Sequence, residues 1–438
     1  MTDLTLTAPA RRISLFALLF LIASLASAQQ ADSDAVRPSA TLTSQLLDHD
    51  FVNYFVFGNG TYDSHLPLFR NGESFYGGTY GYDVGGGITA DHQFKDGDFS
   101  LSYRGDYRSY EHSSYGSGNT QNLSIVYNRR LSRHWAINLN ASGGILTYGG
   151  SFYSSVGSGA STDITNPLSS QSRFANAGIN LTYQQTRRLS YIFSGSFFYS
   201  NYNYSAAASS LGGTGAVTAQ YRTTSRTTFG GTYSHSYYTY GSSFGTSTID
   251  SGYLTLSHMF TSRWTAAASA GLSHSYTHGT IILPVTLLLD QQLVTGYVTG
   301  PYKRSYNTPS FQLGITHYLR RSSLSLSAGQ GVNGGNGTFL TSKDQFATLT
   351  FSVSTRHSNF SLGGSYFRLT SIANTVSQTY STANFSASYG YTLHKYLAIN
   401  LRYDFLHYDN LYAYGGLNES RVSLGFSFSS KSVPLTLF

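Results

Sequence analysis

The chain of 438 residues contains no cysteine. That excludes Cys-ligated zinc, iron–sulfur clusters, thiol catalysis, disulfide staples and a lipid-attachment cysteine. Charge is also scarce, at 11% of residues, against roughly 25% in an ordinary soluble domain. Proline is rare at 8, so few residues break a β-ladder. Beyond the first thirty residues no apolar run reaches the ~20 residues of a membrane-crossing helix. What is present is 45 Gly, 37 Tyr and 28 Phe, with only 2 Trp and 2 Met. Mean hydropathy is mildly negative. A chain with one face toward lipid and one toward water has this average.

Near the N-terminus, Arg11 and Arg12 precede the apolar run Ile13–Ala23, and Ala26-Ser27-Ala28 precedes Gln29. A charged start, a short apolar stretch and an A-x-A end read as a secretory signal peptide over 1–28. The competing reading is a membrane anchor, for which the run is too short. Arg11-Arg12 also fits a twin-arginine signal, but a β-barrel must cross unfolded, which favours the ordinary export route. Residues 29–48 are polar and mixed, and read as a short periplasmic lead-in. The net charge is +7; removing Asp3, Arg11 and Arg12 with the signal leaves +6. A positive balance can indicate nucleic acid. Here the cations fall at turns rather than in one patch, so no nucleic-acid partner is expected.

From 49 to 438 a unit recurs: alternating strand, short basic turn, alternating strand, longer loop rich in Gly, Ser, Tyr and Asn. The turns are centred on Lys95-Asp96-Gly97, Arg129–Arg133, Thr186-Arg187-Arg188, Thr224-Ser225-Arg226, Thr261-Ser262-Arg263, Arg320-Arg321-Ser322, Arg356-His357-Ser358 and His394-Lys395. Around them the period is two. Leu397, Ile399, Leu401, Tyr403 and Phe405 alternate with Ala398, Asn400, Arg402 and Asp404; Ala177, Ile179, Leu181 and Tyr183 alternate with Gly178, Asn180, Thr182 and Gln184. Such strands have one apolar face and one face of Ser, Thr, Asn and Gly.

Three features favour a membrane barrel over a soluble sandwich. The strands run to about 10–14 residues, longer than the ~5–6 of soluble strands and enough for a tilted membrane strand. Short turns alternate with longer loops, as periplasmic turns alternate with extracellular loops in such barrels. Aromatics gather at strand ends: Phe94, Tyr127, Trp135, Tyr183, Tyr191, Phe260, Trp264 and Tyr318 on the turn side, and Tyr107, Tyr199, Tyr237, Tyr276, Tyr366 and Tyr408 on the loop side. These resemble interfacial girdles, with Trp135, Tyr191, Trp264, Tyr183 and Tyr127 the clearest members. High strand propensity of Tyr explains its number but not its clustering. The expected fold is all-β: one closed antiparallel transmembrane β-barrel. Pairs around eight turns, an early strand near 51–60 and a last one near 421–428 make about 18 strands. Sixteen is the alternative, because Phe51–Phe57 alternates poorly.

The signal peptide, alternating hairpins, Arg-Arg turns, tyrosine-rich loop ends and final Phe438 resemble the porin-like barrels of Gram-negative outer membranes. That resemblance covers nearly all of the mature chain and rests on pattern rather than on a motif. It implies a place in the cell outer membrane, outer-membrane lipid and the barrel-assembly machinery as partners, and an aromatic at the end of the last strand. The chain departs from this last pattern, because Val422–Phe428 is followed by Pro434 before Phe438. Either Phe428 or Phe438 can serve as the assembly signal. Related barrels are often trimers; no trimer motif is readable, so a homo-oligomer stays open.

The polar strand face is the expected channel lining, with Arg104, Asp106, Arg108, Arg402 and Asp404 as its candidate charges. They serve either to select solutes or to brace the wall; both roles keep charge off lipid. The basic turns read as solvated or anchored at lipid headgroups. Ile281–Leu289, followed by Asp290-Gln291-Gln292, breaks the rhythm; it folds in as a constriction, projects as an extracellular hairpin or covers itself against the barrel rim. Asp48-His49-Asp50, Asp91-His92 and Asp404…His407…Asp409 hold acid and base types without any catalytic motif context. No enzyme activity and no cofactor or metal is expected. The expected function is diffusion or export of small hydrophilic solutes. The alternatives are a polysaccharide-export barrel, or an adhesive barrel using loops near Tyr148–Ser172 and Tyr199–Leu211.

Overall fold

The computed structural model describes residues 51–70, 73–112, 117–147, 171–202, 209–241, 245–289, 292–334, 341–372, 379–409, 417–430 and 433–434. The proposed signal peptide, the lead-in and Phe438 lie outside the described residues. The strands, in chain order, are β1 (Phe51–Arg70), β2 (Glu73–Phe94), β3 (Gly97–Tyr110), β4 (Gly118–Arg130), β5 (Trp135–Thr147), β6 (Gln171–Gln184), β7 (Leu189–Tyr202), β8 (Ser210–Arg222) and β9 (Thr227–Tyr240). They continue as β10 (Gly245–Thr261), β11 (Trp264–Leu289), β12 (Gln292–Tyr318), β13 (Ser322–Asn333), β14 (Ser342–Ser354), β15 (Ser358–Ser371), β16 (Thr379–His394), β17 (Leu397–Asp409), β18 (Leu417–Ser429) and the short β19 (Val433–Pro434).

Each strand from β1 to β18 pairs antiparallel with its sequence neighbours, and β18 pairs with β1 from Phe55↔Ser429 to Asp63↔Arg421. The result is a closed 18-stranded barrel with no free edge along its main wall. β19 adds a two-residue pairing, Phe51↔Pro434 and Val52↔Val433. Pro434 is tolerated there because it sits at a strand end, where no continuing ladder needs its missing N–H.

All eight short basic turns lie at one end of the barrel. Five share a local device. Ser132, Thr186, Thr224, Thr261 and Thr355 accept, through the side-chain oxygen, backbone N–H groups two or three residues later. A hydroxyl at the turn's start thus satisfies N–H groups that the ladder has released.

The two faces of each strand differ as the alternation requires. Tyr54, Val56, Val84, Ile88, Leu139, Ile179, Leu254, Leu272, Leu401 and Phe426 are exposed on the outside. On β11 the outward apolar series runs from Trp264 to Leu272 and is followed by His274. Eight residue steps rise about 26 Å along the strand, or about 20 Å along the barrel axis at a tilt of ~40°. That is the order of the ~25 Å apolar band of a membrane barrel. Beyond the band the outer face becomes polar. Asp250 binds His235 at 2.8 Å and Tyr233 at 2.7 Å, and His274 meets Asn307 at 2.7 Å.

At the turn end outward aromatics pack in pairs across neighbouring strands. Trp135 packs on Tyr183 at 4.6 Å, and Trp264 on His317 at 4.0 Å. Phe94 meets Tyr127 edge-on. Two residues assigned to girdles by sequence face inward instead. Tyr318 shares a face with Thr316, and Tyr408 shares one with Asp404 and is 2% exposed, stacked on Tyr380. Proximity to a strand end does not fix which face a residue occupies; parity does.

The poor alternation of the first strand has a packing cause. Tyr54 and Val56 point out, whereas Phe55 and Phe57 point in. Opposite them stand Gly87 and Gly85, whose missing Cβ atoms would lie 2.6 Å from the Phe55 ring and 2.7 Å from the Phe57 ring. The rings lie over the glycine backbone, as aromatics do when they cover glycines on a neighbouring strand.

Candidate functional site: the inner wall

Five adjacent strands, in the order β17-β18-β1-β2-β3, bring nine charged side chains onto one stretch of the inner wall. The register sets Asp404, Arg421 and Asp63 side by side across β17, β18 and β1. Arg421 donates to Asp63 at 2.7 and 2.9 Å and to Glu419 at 2.9 Å. Arg402 forms a fork on Asp404 at 2.8 Å. Across β2 and β3, Arg108 reaches Asp83 at 3.4 Å, and Arg104 lies 3.5 Å from Asp106. The Arg104 guanidinium also sits 4.3 Å above the Phe57 ring, a cation–π contact.

The belt is deeply packed. The side chains of Arg421, Asp63, Glu419, Arg108 and Asp83 are each no more than 2% exposed. Leu66 and Tyr110 form a buried apolar contact on the same inner face. Charges so removed from water require partners at hydrogen-bond distance, and the Arg421–Asp63–Glu419 set supplies them. Four arginines stand against five carboxylates, so the belt is nearly neutral as a whole.

Of the five charges selected from sequence, all lie in this belt. Sequence reasoning missed Asp63, Asp83, Glu419 and Arg421. Parity could have found Arg421, since Val422, Leu424 and Phe426 fix the outward face of β18. Asp63 was missed because β1 continues to Arg70, ten residues past its expected end at Gly60.

Most of the rest of the inner wall is neutral, with Asp91, Asp98 and Asp344 as further carboxylates on the inward parity. Hydroxyl pairs bridge strands: Ser323 with Ser352 at 2.8 Å, Ser361 with Ser388 at 2.6 Å, and Thr214 with Ser236 at 2.8 Å. Ser251, Ser273 and Ser310 form a chain across β10, β11 and β12 at 2.8 Å each. On β4, β5 and β6 an amide ladder runs from Asn180 to Asn138 at 3.2 Å and on to Asn128 at 2.5 Å. Aromatics interrupt this surface more than the sequence suggests; Phe346 and Phe367 stack at 6.2 Å on β14 and β15.

Among the described residues the ends of β13 and β14 turn inward, and they are not the segment singled out from sequence. Residues 281–289 remain in register with 292–300, from Ile281↔Gly300 to Leu289↔Gln292. β10 accompanies β11 only as far as Gly279, so this hairpin continues past the wall as a two-stranded ribbon. β13, in contrast, pairs with β12 only from Tyr318 to Phe311, and the top of the β13–β14 hairpin leaves the wall. Its base at Thr341 is fully buried and bonds to Thr277 and Ser247, both at 2.8 Å, on β11 and β10. Its other base, Gly334, lies on the Tyr238 ring of β9, where a Cβ would be 2.5 Å away. Gly334 and Thr341, which flank the β13–β14 connection, therefore both lie against the inner face of β9–β11.

No family model matches the chain, and no curated protein matches it. Solved structures of similar shape include OccK5 (OpdH) from Pseudomonas aeruginosa, 9% identical, with TM-score 0.41 over 87% of this chain and 98% of that one. OccK2 (OpdF) from the same organism, solved with glucuronate, is 11% identical with TM-score 0.41 over 87% and 98%. OccAB1 from Acinetobacter baumannii is 10% identical with TM-score 0.38 over 87% and 97%. What the inner wall can do follows from this chain's own residues.

Proposed function

We propose that the protein is a porin-like channel of the Gram-negative outer membrane, passing small, neutral or weakly charged hydrophilic solutes. The observation that carries this reading is the opposition of the two barrel faces. An apolar, aromatic-rimmed band lies outside, and a wall of hydroxyls, amides, a nearly balanced charged belt and a few further carboxylates lies inside. Barrels of about 16–18 strands are wide enough for an aqueous path.

The chemistry of the wall sets the solute class. Ser, Thr and Asn side chains exchange hydrogen bonds with water and with hydroxyl-rich solutes at little cost in either direction. The belt on β17-β18-β1-β2-β3 and the inward-turned ends of β13 and β14, at Gly334 and Thr341, act as the narrow region, with charge on one side and hydroxyls on the other. Arg104 and Arg402 are the belt charges that reach the lumen, at 38% and 16% side-chain exposure, and the buried Asp106, Arg108, Asp404, Arg421, Asp63 and Glu419 pack behind them. Near-neutrality of the belt predicts weak ion selectivity.

Liposome swelling with uncharged sugars of increasing size tests the reading. Swelling that is fast for monosaccharides and falls steeply with size is expected. Vesicles that carry folded protein yet swell no faster than empty ones would overturn it.

A further inference from the structure

The charge on the two ends of the barrel is unequal, and the channel reading does not use it. Every one of the eight short turns contains a lysine or arginine, among them Arg133, Arg188, Arg226, Arg263, Arg321 and Lys395. The nine connections at the opposite end contain neither; their only charged residues are Glu111, Asp163 and Asp290. The turn cations are exposed, and no ion pair among the described residues includes one.

A second observation gives the height of this ring. Several of these cations adjoin the outward aromatic ring that borders the apolar band. Arg133 precedes Trp135 by two residues and Arg263 immediately precedes Trp264. Lys395 lies 4.8 Å over the Tyr396 ring, and Arg129 donates to the Tyr127 hydroxyl at 3.3 Å. Tryptophan and tyrosine at the end of a lipid-facing band mark the headgroup layer. Cations fixed there, without an acidic ion-pair partner among the described residues, face whatever charge the headgroups bring.

We infer that the turn end of the barrel is a binding surface for anionic phospholipid headgroups, which gather around it in preference to zwitterionic ones. A phosphodiester without a compensating amine, as in phosphatidylglycerol, supplies the matching charge. Arginine binds such phosphates through paired N–H donors. The attraction acts within a Debye length, about 10 Å at 0.1 M salt and about 3 Å at 1 M. The inference rests on the membrane-spanning part of the proposed function and is independent of whether the barrel conducts.

The chain carries a built-in probe. Its only two tryptophans, Trp135 and Trp264, both sit beside these turns. The full mature protein would be folded into vesicles of mixed phosphatidylcholine and phosphatidylglycerol, with a quenching bromine on the chains of one lipid at a time. At equal mole fraction, brominated phosphatidylglycerol should quench at least twofold more strongly. The excess should vanish at about 1 M salt, which requires no variant. It should also vanish in a variant carrying R133Q, R188Q, R226Q, R263Q, R321Q and K395Q. Equal quenching by the two lipids at low salt would overturn the inference, as would an excess that survives high salt. Binding of a soluble polyanion to the turn end with no lipid preference would overturn it too. A chain that does not insert at all fails the membrane reading instead, because neither lipid then quenches.

Discussion

Asp63 and Arg421 are 358 residues apart in sequence and 2.7 Å apart where the barrel closes. With Glu419 they form a buried trio in which one guanidinium serves two carboxylates. Removing the cation leaves both acids buried without it, and such a loss costs about 3–5 kcal/mol. Arg421→Met is therefore expected to lower the urea midpoint of the folded barrel clearly, and Asp63→Asn with Glu419→Gln beside it should recover part of the loss. If Arg421→Met unfolds with an unchanged midpoint, the trio does not brace the seam. Arg402 is more accessible, at 16% side-chain exposure, so it can act on conduction as well as support the buried Asp404. A unit charge about 8 Å from a passing ion in water is worth about 0.5 kcal/mol, or a factor of about two to three. Arg402→Gln should thus move the reversal potential in a salt gradient toward cations by that ratio, and an unmoved potential would place the belt off the ion path.

At the scale of the element, the turns and the glycine pockets are the parts most open to test. Thr261 accepts the N–H groups of Arg263 and Trp264, both at 3.2 Å. Thr261→Val removes both bonds at an exposed turn, for a loss of about 1 kcal/mol. Gly87→Val should cost more, because its side chain must displace the Phe55 ring and meet the Tyr103 carbonyl; overpacking of this kind costs about 1–3 kcal/mol. Equilibrium unfolding in lipid, followed by Trp fluorescence, ranks the two, and a Gly87→Val barrel as stable as the parent would refute the ring-over-glycine account. The turns were legible in the sequence because a hydroxyl or Gly beside Arg is a local signal. Strand length was not. β1, β2, β11 and β12 run to 20, 22, 26 and 27 residues because each is held by its hairpin partner beyond the wall, and pairing between distant segments leaves no mark in a local window. The run Ile281–Leu289 drew attention for its apolarity, while the segment from Gly334 to Thr341 is short, neutral and ordinary in composition. The inward placement of its two ends depends on β13 parting from β12, which only the three-dimensional register reveals.

On the scale of the whole molecule, period-two alternation and eight basic turns led to the right architecture and strand number. Alternation fixes a face, each turn fixes a pair, and antiparallel pairing of neighbours leaves closure of β18 on β1 as the way to satisfy both edges. The composition of the lining was legible for the same reason: once the outward face is assigned, the other parity is the wall. The gathering of charges from both chain ends into one belt was not, because it exists only through closure. The chain's economy of charge then has a single reading, with half of its strand positions facing lipid and most of the remainder facing water through hydroxyls.

The central claim is that this wall encloses an open aqueous path. Conductance of the refolded mature protein, residues 29–438, across a planar lipid bilayer tests it most directly. The account predicts stable steps that scale with salt concentration and show only weak ion selectivity. A barrel that is folded and inserted, as judged by strand content and protease resistance, yet gives no steps at any salt concentration would contradict it.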